Sequence, residues 1–250
     1  MELRVLILSI IIILILPACT KDTNETEVSE VKEGSLLCSN DNYSTNVALY
    51  GGEDYINLKG ESKEKLARMI QKEGDTALKG ISDLTCLERL DLEGMEISNI
   101  TNLETLNSLE KLNLASTQVE DIRPLSGLDN LEILVLWDTP VSNVSPLKEL
   151  DNLRTLALPD SQVTDLSAVS EIESLEALNL MNTQVENISP VCDLDKLKTL
   201  TLRYTPVFDV SCLLELENIK NLNLLNTNIP PKDCNKLKEN LKNANVECLS

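Results

Sequence analysis

Aliphatic residues return in register along this chain, every 22 positions, from residue 81 to residue 230. Leu90, Leu112, Leu134, Leu156, Leu178, Leu200 and Leu222 form one column, and the leucines two places further on, Leu92 through Leu224, form a second. A third column is β-branched throughout: Ile97, Val119, Val141, Val163, Val185, Val207 and Ile229. A fourth holds Leu87, Leu109, Leu131, Leu153, Leu175, Leu197 and Ile219. Seven rows without an insertion indicate a stacked repeating unit. In each row the L-x-L piece alternates with the period of a strand buried on one side, so it predicts a short strand with leucines inward and its other residues facing solvent. The stretch beyond the β-branched residue, with Pro124, Pro146 and Pro190, predicts a 3₁₀ turn on the opposite side. One coil cannot cover its own leucines; neighbouring coils do it for each other.

The ends of such a stack need covers. Upstream, Leu66, Met69 and Ile70 have helical spacing between Ser62 and Glu73, with Gly74 as a stop, which predicts a cap helix. Downstream the columns fail at Lys232. Pro230 and Pro231 suit a helix start, Leu237 and Leu241 lie four apart on its face, and residues 243–249 are expected to return as a strand. The organisation read this way is 36–80 as an N-terminal cap, 81–230 as repeats and 231–250 as a C-terminal cap.

Each row reads L-x-x-L-x-L-x-x-T-x-V, which resembles the leucine-rich repeat in the 22-residue unit of the internalin-like and SDS22-like class. The resemblance implies a leucine-rich repeat solenoid with short parallel strands on a concave face and 3₁₀ or irregular turns on a convex face. It also implies a recognition protein and not an enzyme, since similar bacterial repeat proteins contact host or envelope proteins. The chain departs from that pattern in one column, Met95, Thr117, Thr139, Ser161, Thr183, Thr205 and Thr227, where the family places asparagine. The family's amide serves buried backbone groups from coil to coil, and a hydroxyl is expected to do part of that work.

Ahead of the repeats, Leu3 to Leu16 is almost wholly aliphatic, with Arg4 as a thin positive flank. Such a run is short for a bilayer, which takes about 20 helical residues, and it reads as a signal peptide over 1–18. Its end, Leu16-Pro17-Ala18-Cys19, resembles the lipobox of bacterial lipoproteins. That resemblance implies cleavage before Cys19, a diacylglycerol on its sulfur and a membrane-anchored lipoprotein of the bacterial cell envelope. With Thr20 after the cysteine, the outer membrane is the expected membrane in a double-membraned cell; the alternative is an ordinary cleaved signal. Residues 19–35 then form a polar tether with little to bury.

Composition narrows the chemistry. The formal net charge of −19 is wrong for phosphate-rich partners, so no nucleic acid is expected. Histidine is absent, which removes the common nucleophile–histidine pairs and the commonest zinc ligand. No cofactor or metal is expected. Besides Cys19 there are six cysteines, an even number that suggests disulfides in an exported chain. Cys38 and Cys86 stand alone at the N-terminal end and pair naturally. For the remainder, the repeat register favours Cys192 with Cys212 and Cys234 with Cys248, while Cys212 with Cys234 is also within reach.

The candidate contact surface is the outward side of the strands. Ile133, Val135, Trp137, Pro159 and Met181 form an apolar strip over rows three to five, with Ala157 and Ala177 beside it and Arg203 and Tyr204 at its border. Aromatic residues and methionine are favoured in interface cores, so the strip is expected to bind a protein. The column just before the strands runs Glu88, Glu110, Glu132, Arg154, Glu176, Lys198, Lys220, a polar rim that changes sign along the stack. Asp138 and Asp160 share one column about 5 Å apart. They read as solvated carboxylates, as a cation site completed by Asn182, or as an acid–base pair for hydrolysis. The functional expectation is an exported, lipid-anchored protein that recognises a protein partner. The alternatives are an assembly protein of the cell envelope and, last, a carboxylate-dependent hydrolase.

Overall fold

The computed structural model describes residues 87–248. The expected signal peptide, Cys19, tether, N-terminal cap and Cys38–Cys86 pair lie outside these residues. The rows form eight strands in one open sheet, in chain order. They are β1 (Arg89–Asp91), β2 (Lys111–Asn113), β3 (Ile133–Val135), β4 (Thr155–Ala157), β5 (Ala177–Asn179), β6 (Thr199–Thr201), β7 (Asn221–Leu224) and β8 (Asn245–Cys248). Every neighbouring pair is parallel, and from β1 to β7 each residue lies opposite the residue 22 places on, as Leu134 does to Leu156. The strand of the C-terminal cap extends the same ladder, with Asn245 opposite Asn221. The fold is a leucine-rich repeat solenoid.

The interior is aliphatic from end to end. The strand leucines and the β-branched column are at most 6% exposed in every row. Each fully buried leucine is worth about 1.5–3 kcal/mol of transfer from water, and no single coil supplies the neighbours that bury it. Opposite the strands lie 3₁₀ turns at Thr101–Leu103, Arg123–Leu125, Ser145–Leu147, Ser167–Glu171, Ser189–Val191 and Ser211–Glu215. Two places ahead of each turn a side chain accepts its first N–H: Asn99, Asp121, Asn143, Asp165, Asn187 and Asp209. These Asx caps satisfy donors that a turn start leaves bare. Asn and Asp alternate along the column, so neighbouring coils do not stack two carboxylates about 5 Å apart.

The hydroxyl column does a different job from the one expected. Thr117, Thr139, Thr183, Thr205 and Thr227 each donate to the carbonyl three residues back, within their own coil, at 2.6–2.8 Å. In this column each of these hydroxyls is used by a carbonyl of its own coil. Bridging falls to a column one loop away: Asn130 Nδ2 donates to the Asn107 carbonyl, Asn152 to Asp129 and Asn218 to Asp195, and in the same column Ser174 Oγ donates to the Leu153 carbonyl at 2.7 Å. Ser161 is the exception in the hydroxyl column, because its buried Oγ has no hydrogen-bond partner. Ser161→Thr should lock the rotamer that its five neighbours use and add a buried methyl. We expect a gain of about 1 kcal/mol in urea unfolding; a neutral or destabilising change would show that the site cannot take the neighbours' geometry.

The C-terminal end closes as the leucine spacing suggested. Helix α1 (Pro231–Asn240) follows Pro230 and buries Cys234 and Leu237. Cys234 is bonded to Cys248 of β8, with Cα atoms 6.0 Å apart, so the helix is tied to the last strand. Cys192 is bonded to Cys212 across rows five and six, at 5.7 Å. Both distances are ordinary for disulfides.

Candidate functional site

Side chains on the open side of the strands are less exposed than simple alternation implies. Ile133 is only 7% exposed and Pro159 is also buried, so two residues expected to present apolar surface do not. The reason is spacing: rows about 4.8 Å apart place a side chain on each flank, and a mid-ladder residue is shaded by both. Val135, Met181 and Arg203 are half-buried. Trp137, at 38%, and Tyr204, at 48%, are the accessible aromatics at the edge of this face.

Trp137 is held in place. Its indole Nε1 donates to Asp160 Oδ2 at 2.9 Å, drawing the ring from row three toward row four, where Pro159 is buried. Asn182 Nδ2 donates to the other Asp160 oxygen. Asp138 accepts from Ser116 Oγ at 3.3 Å. Thus each carboxylate serves a neighbour in the ladder, and Asp160 is occupied on both oxygens. Among the described residues, no group of three or more His, Cys, Asp or Glu side chains is placed to hold a metal ion.

The Asp138 and Asp160 column has a backbone reason that sequence reasoning missed. Gly94, Ser116, Asp138, Asp160, Asn182, Tyr204 and Asn226 all adopt positive φ, between 52° and 69°. In that conformation each of the first six aims its N–H at the next coil's carbonyl, from Gly94 to Ala115 through Tyr204 to Leu225. Gly, Asn and Asp tolerate this region best, and their recurrence in one column was the available signal. Tyr204 is the outlier, since a bulky residue there costs about 1–2 kcal/mol. Its ring lies 4.8 Å from the Arg203 guanidinium carbon, and Arg203 Nη2 donates to Tyr204 Oη at 3.1 Å. Buried Arg203 Nε has no partner. Row six also exposes Phe208, at 60%, which the sequence reading did not single out.

A second column on this face caps the strand ends. Asn113, Asn179 and Asn223 accept the N–H of Ala115, Met181 and Leu225, and Asp91 accepts that of Glu93. Row four has Ala157 in this place, and its Pro159 has no N–H to satisfy. Row three pairs Val135 with Trp137, so the side chain in the capping position offers that N–H no acceptor. The acceptor is missing where the apolar strip is centred.

Charge is graded along the rim. Glu88, Arg154 and Lys220 are exposed, and Glu110 and Glu132 are partly covered. Lys198 Nζ pairs with Glu176, and this hydrogen bond holds the Glu176 carboxyl below the usual glutamate range. On the turn side Arg123 forks onto Asp121, which is lowered to about 2 chiefly by that side-chain bond. Both pairs are solvent-facing and add little stability. An open cavity of about 710 Å³ on the turn side is lined by Asp129, Lys148, Glu149, Asp151, Glu171 and Glu173 among others, away from the strand face.

Similarity to known proteins agrees with this geometry. Residues 107–149 match the family described as Leucine Rich repeats (2 copies). Internalin C2 of Listeria monocytogenes is 25% identical over 74% of this chain and 92% of its own, with a TM-score of 0.62. A leucine-rich repeat protein of Leptospira interrogans is 23% identical over 68% of this chain and 45% of its own, at 0.63. A second Listeria internalin is 21% identical over 69% and 63%, at 0.50. No protein of curated function matches the chain in sequence. The last two structures share the fold alone. No helix among the described residues is long and apolar enough to cross a membrane.

Proposed function

We propose that this leucine-rich repeat chain is a non-enzymatic recognition protein that binds a protein partner on its strand face. Leucine-rich repeat domains commonly mediate protein–protein recognition. The observation that carries the reading is Trp137, a large aromatic that stays accessible although its indole is pinned to Asp160. A rigid aromatic gives contact area at small entropic cost, which is why tryptophan dominates interface hot spots. Val135 and Met181 lie on the same face, and Arg203 and Tyr204 close its border. Ile133 and Pro159 lie on the same face, shaded by the neighbouring rows. Occupied carboxylates and an open sheet give acid–base chemistry no enclosed site, so hydrolysis ranks last.

The aliphatic leader and Leu16-Pro17-Ala18-Cys19 support export and a lipid on Cys19, which would present the solenoid at a membrane of the cell envelope. An assembly role inside the envelope is the second reading, favoured by the same anchor. A photoreactive residue at position 137, with position 149 on the turn side as control, tests the binding surface in living cells. Cross-links to a protein are expected from 137 only. Equal capture from both positions, or capture from 149 alone, would move the contact surface off the strands.

A further inference from the structure

Row six, the coil of β6, departs from its neighbours at two adjacent residues. From β3 to β6, the outward strand side chains and the residue two beyond them are uncharged except for Arg203. Arg203 is half-buried, and among the described residues it pairs with no carboxylate. The acids of nearby rows are already taken: Asp160 by Trp137 and Asn182, Glu176 by Lys198, Glu247 by Asn223. Arg203 Nε is buried without a hydrogen-bond partner. Its main-chain N–H also lacks the amide oxygen that Asn179 and Asn223 give to Met181 and Leu225, because Thr201 stands in that place. Tyr204 takes a φ of 59° where the rows on either side place Asn182 and Asn226. Its ring lies 4.8 Å from the guanidinium carbon, and its Oη accepts from Nη2 at 3.1 Å. Strain held at a bulky residue, beside donors left unsatisfied, points to geometry that is put to use.

We propose that Arg203 and Tyr204 form a carboxylate clamp for an extended partner segment, which sets an aspartate or glutamate side chain at row six and apolar side chains over Met181 and Trp137. The inference rests on the recognition reading above and gives the partner its chemistry. Tyr204 is a positioning residue: stacking and its hydroxyl hold the guanidinium, leaving Nη1 and the second Nη2 hydrogen for the carboxylate. Guanidinium charge is spread over three nitrogens, so an Nε buried without a partner raises the worth of a carboxylate at the Nη edge. The local sign fits. Glu176 and Lys198 cancel each other, which leaves Arg203 and Lys220 as the uncompensated charges of the strand face in rows five to seven. The acid-rich rows one to three lie about 14 Å or more from row six. Charges that far apart are largely screened at physiological salt, where the Debye length is about 8 Å, so the net −19 weighs little there. The same 14 Å separates Trp137 from Arg203, a span of about four extended residues. The column runs on to half-buried Leu225 in row seven, so the partner chain has no need to end at Arg203 and the acid is an internal one.

The probe is a phage-displayed library of random peptides of about twelve residues with no free C-terminus. It is selected on the full chain in mild detergent and depleted on the Trp137→Ala/Arg203→Gln variant. Selected peptides are expected to share one Asp or Glu beside a run of apolar residues. In one such peptide made synthetically, replacing that acid by its amide should weaken binding about twentyfold to the parent and less than about twofold to Arg203→Gln. Arg203→Lys keeps the charge but loses the fork, and should fall between parent and Arg203→Gln. Tyr204→Asn adopts the residue of the flanking rows, so it should raise the urea midpoint while weakening the same peptide about fivefold. A Tyr204 that served only the fold would show the reverse, lost stability with affinity kept. The proposal is overturned by selected peptides that share no acid, by an equal amide effect in parent and Arg203→Gln, or by Tyr204→Asn at full affinity. Any of these, with Trp137→Ala still abolishing binding, would leave the recognition reading standing. If no peptide survives the depletion, this proposal falls, and the cross-link from position 137 decides the recognition reading alone.

Discussion

Leu156→Ala should cost about 3–4 kcal/mol of unfolding free energy, read from urea titration by far-ultraviolet circular dichroism. Leu156 is fully buried and lies in register between Leu134 and Leu178. Truncation removes three carbons from a place that three coils share, and leucine-to-alanine changes in rigid cores cost about 2–5 kcal/mol. A stacked ladder has little freedom to collapse there, because moving one coil pulls two sets of parallel hydrogen bonds. In an array held by nearest-neighbour contacts, a defect in row four also weakens coupling between the halves, so the transition should broaden as well as shift. Thr155→Ala, one residue away on the outward side and half-buried, is the internal control, expected within about 0.5 kcal/mol of the parent. Equal effects at 155 and 156 would mean that the column is not an interior.

Replacing both Cys234 and Cys248 by serine should cost about 3 kcal/mol. The bond closes a sequence separation of 14 residues, for which unfolded-chain entropy alone gives about that much. Both sulfurs are buried, so serine adds the penalty of hydroxyls in an apolar place. The loss should be directional. Helix α1 and β8 cover the last coil, and hydrogen exchange should accelerate first in β7 and β8, leaving β3 and β4 protected. Replacing Cys192 and Cys212, which are half-buried on the turn side, should cost a similar entropy without that added penalty. Uniform acceleration along the stack would show that the cap is not a separate unit.

Leucine columns were legible because burial repeats with the coil: every inward position meets the same neighbours, so the same residue type returns. The turn prolines marked three of the 3₁₀ segments for a similar reason, a fixed φ at a fixed place. What stayed hidden was work done by polar side chains on the backbone. Asp138 and Asp160 looked like paired carboxylates with chemistry to offer, yet their column is where the chain takes positive φ. The Asn and Asp before each 3₁₀ turn recur every 22 residues but look like ordinary surface polarity until their acceptor role is seen. Ile133 and Pro159 were misplaced because alternation says which side a residue faces and nothing about how far its neighbours lean over it. Trp137 bends toward row four only because Asp160 is there to accept from it.

The strand face as working surface is tested most directly by the affinity of Trp137→Ala/Met181→Ala for the protein captured from position 137. Circular dichroism should show the ladder intact, since neither residue belongs to the buried columns. Binding is expected to fall about thirtyfold, or ~2 kcal/mol, as for loss of one aromatic hot spot, whereas Phe208→Ala at the turn edge should leave it unchanged. Unaltered affinity in the double variant, or a loss confined to Phe208→Ala, would contradict the assignment of recognition to the strands.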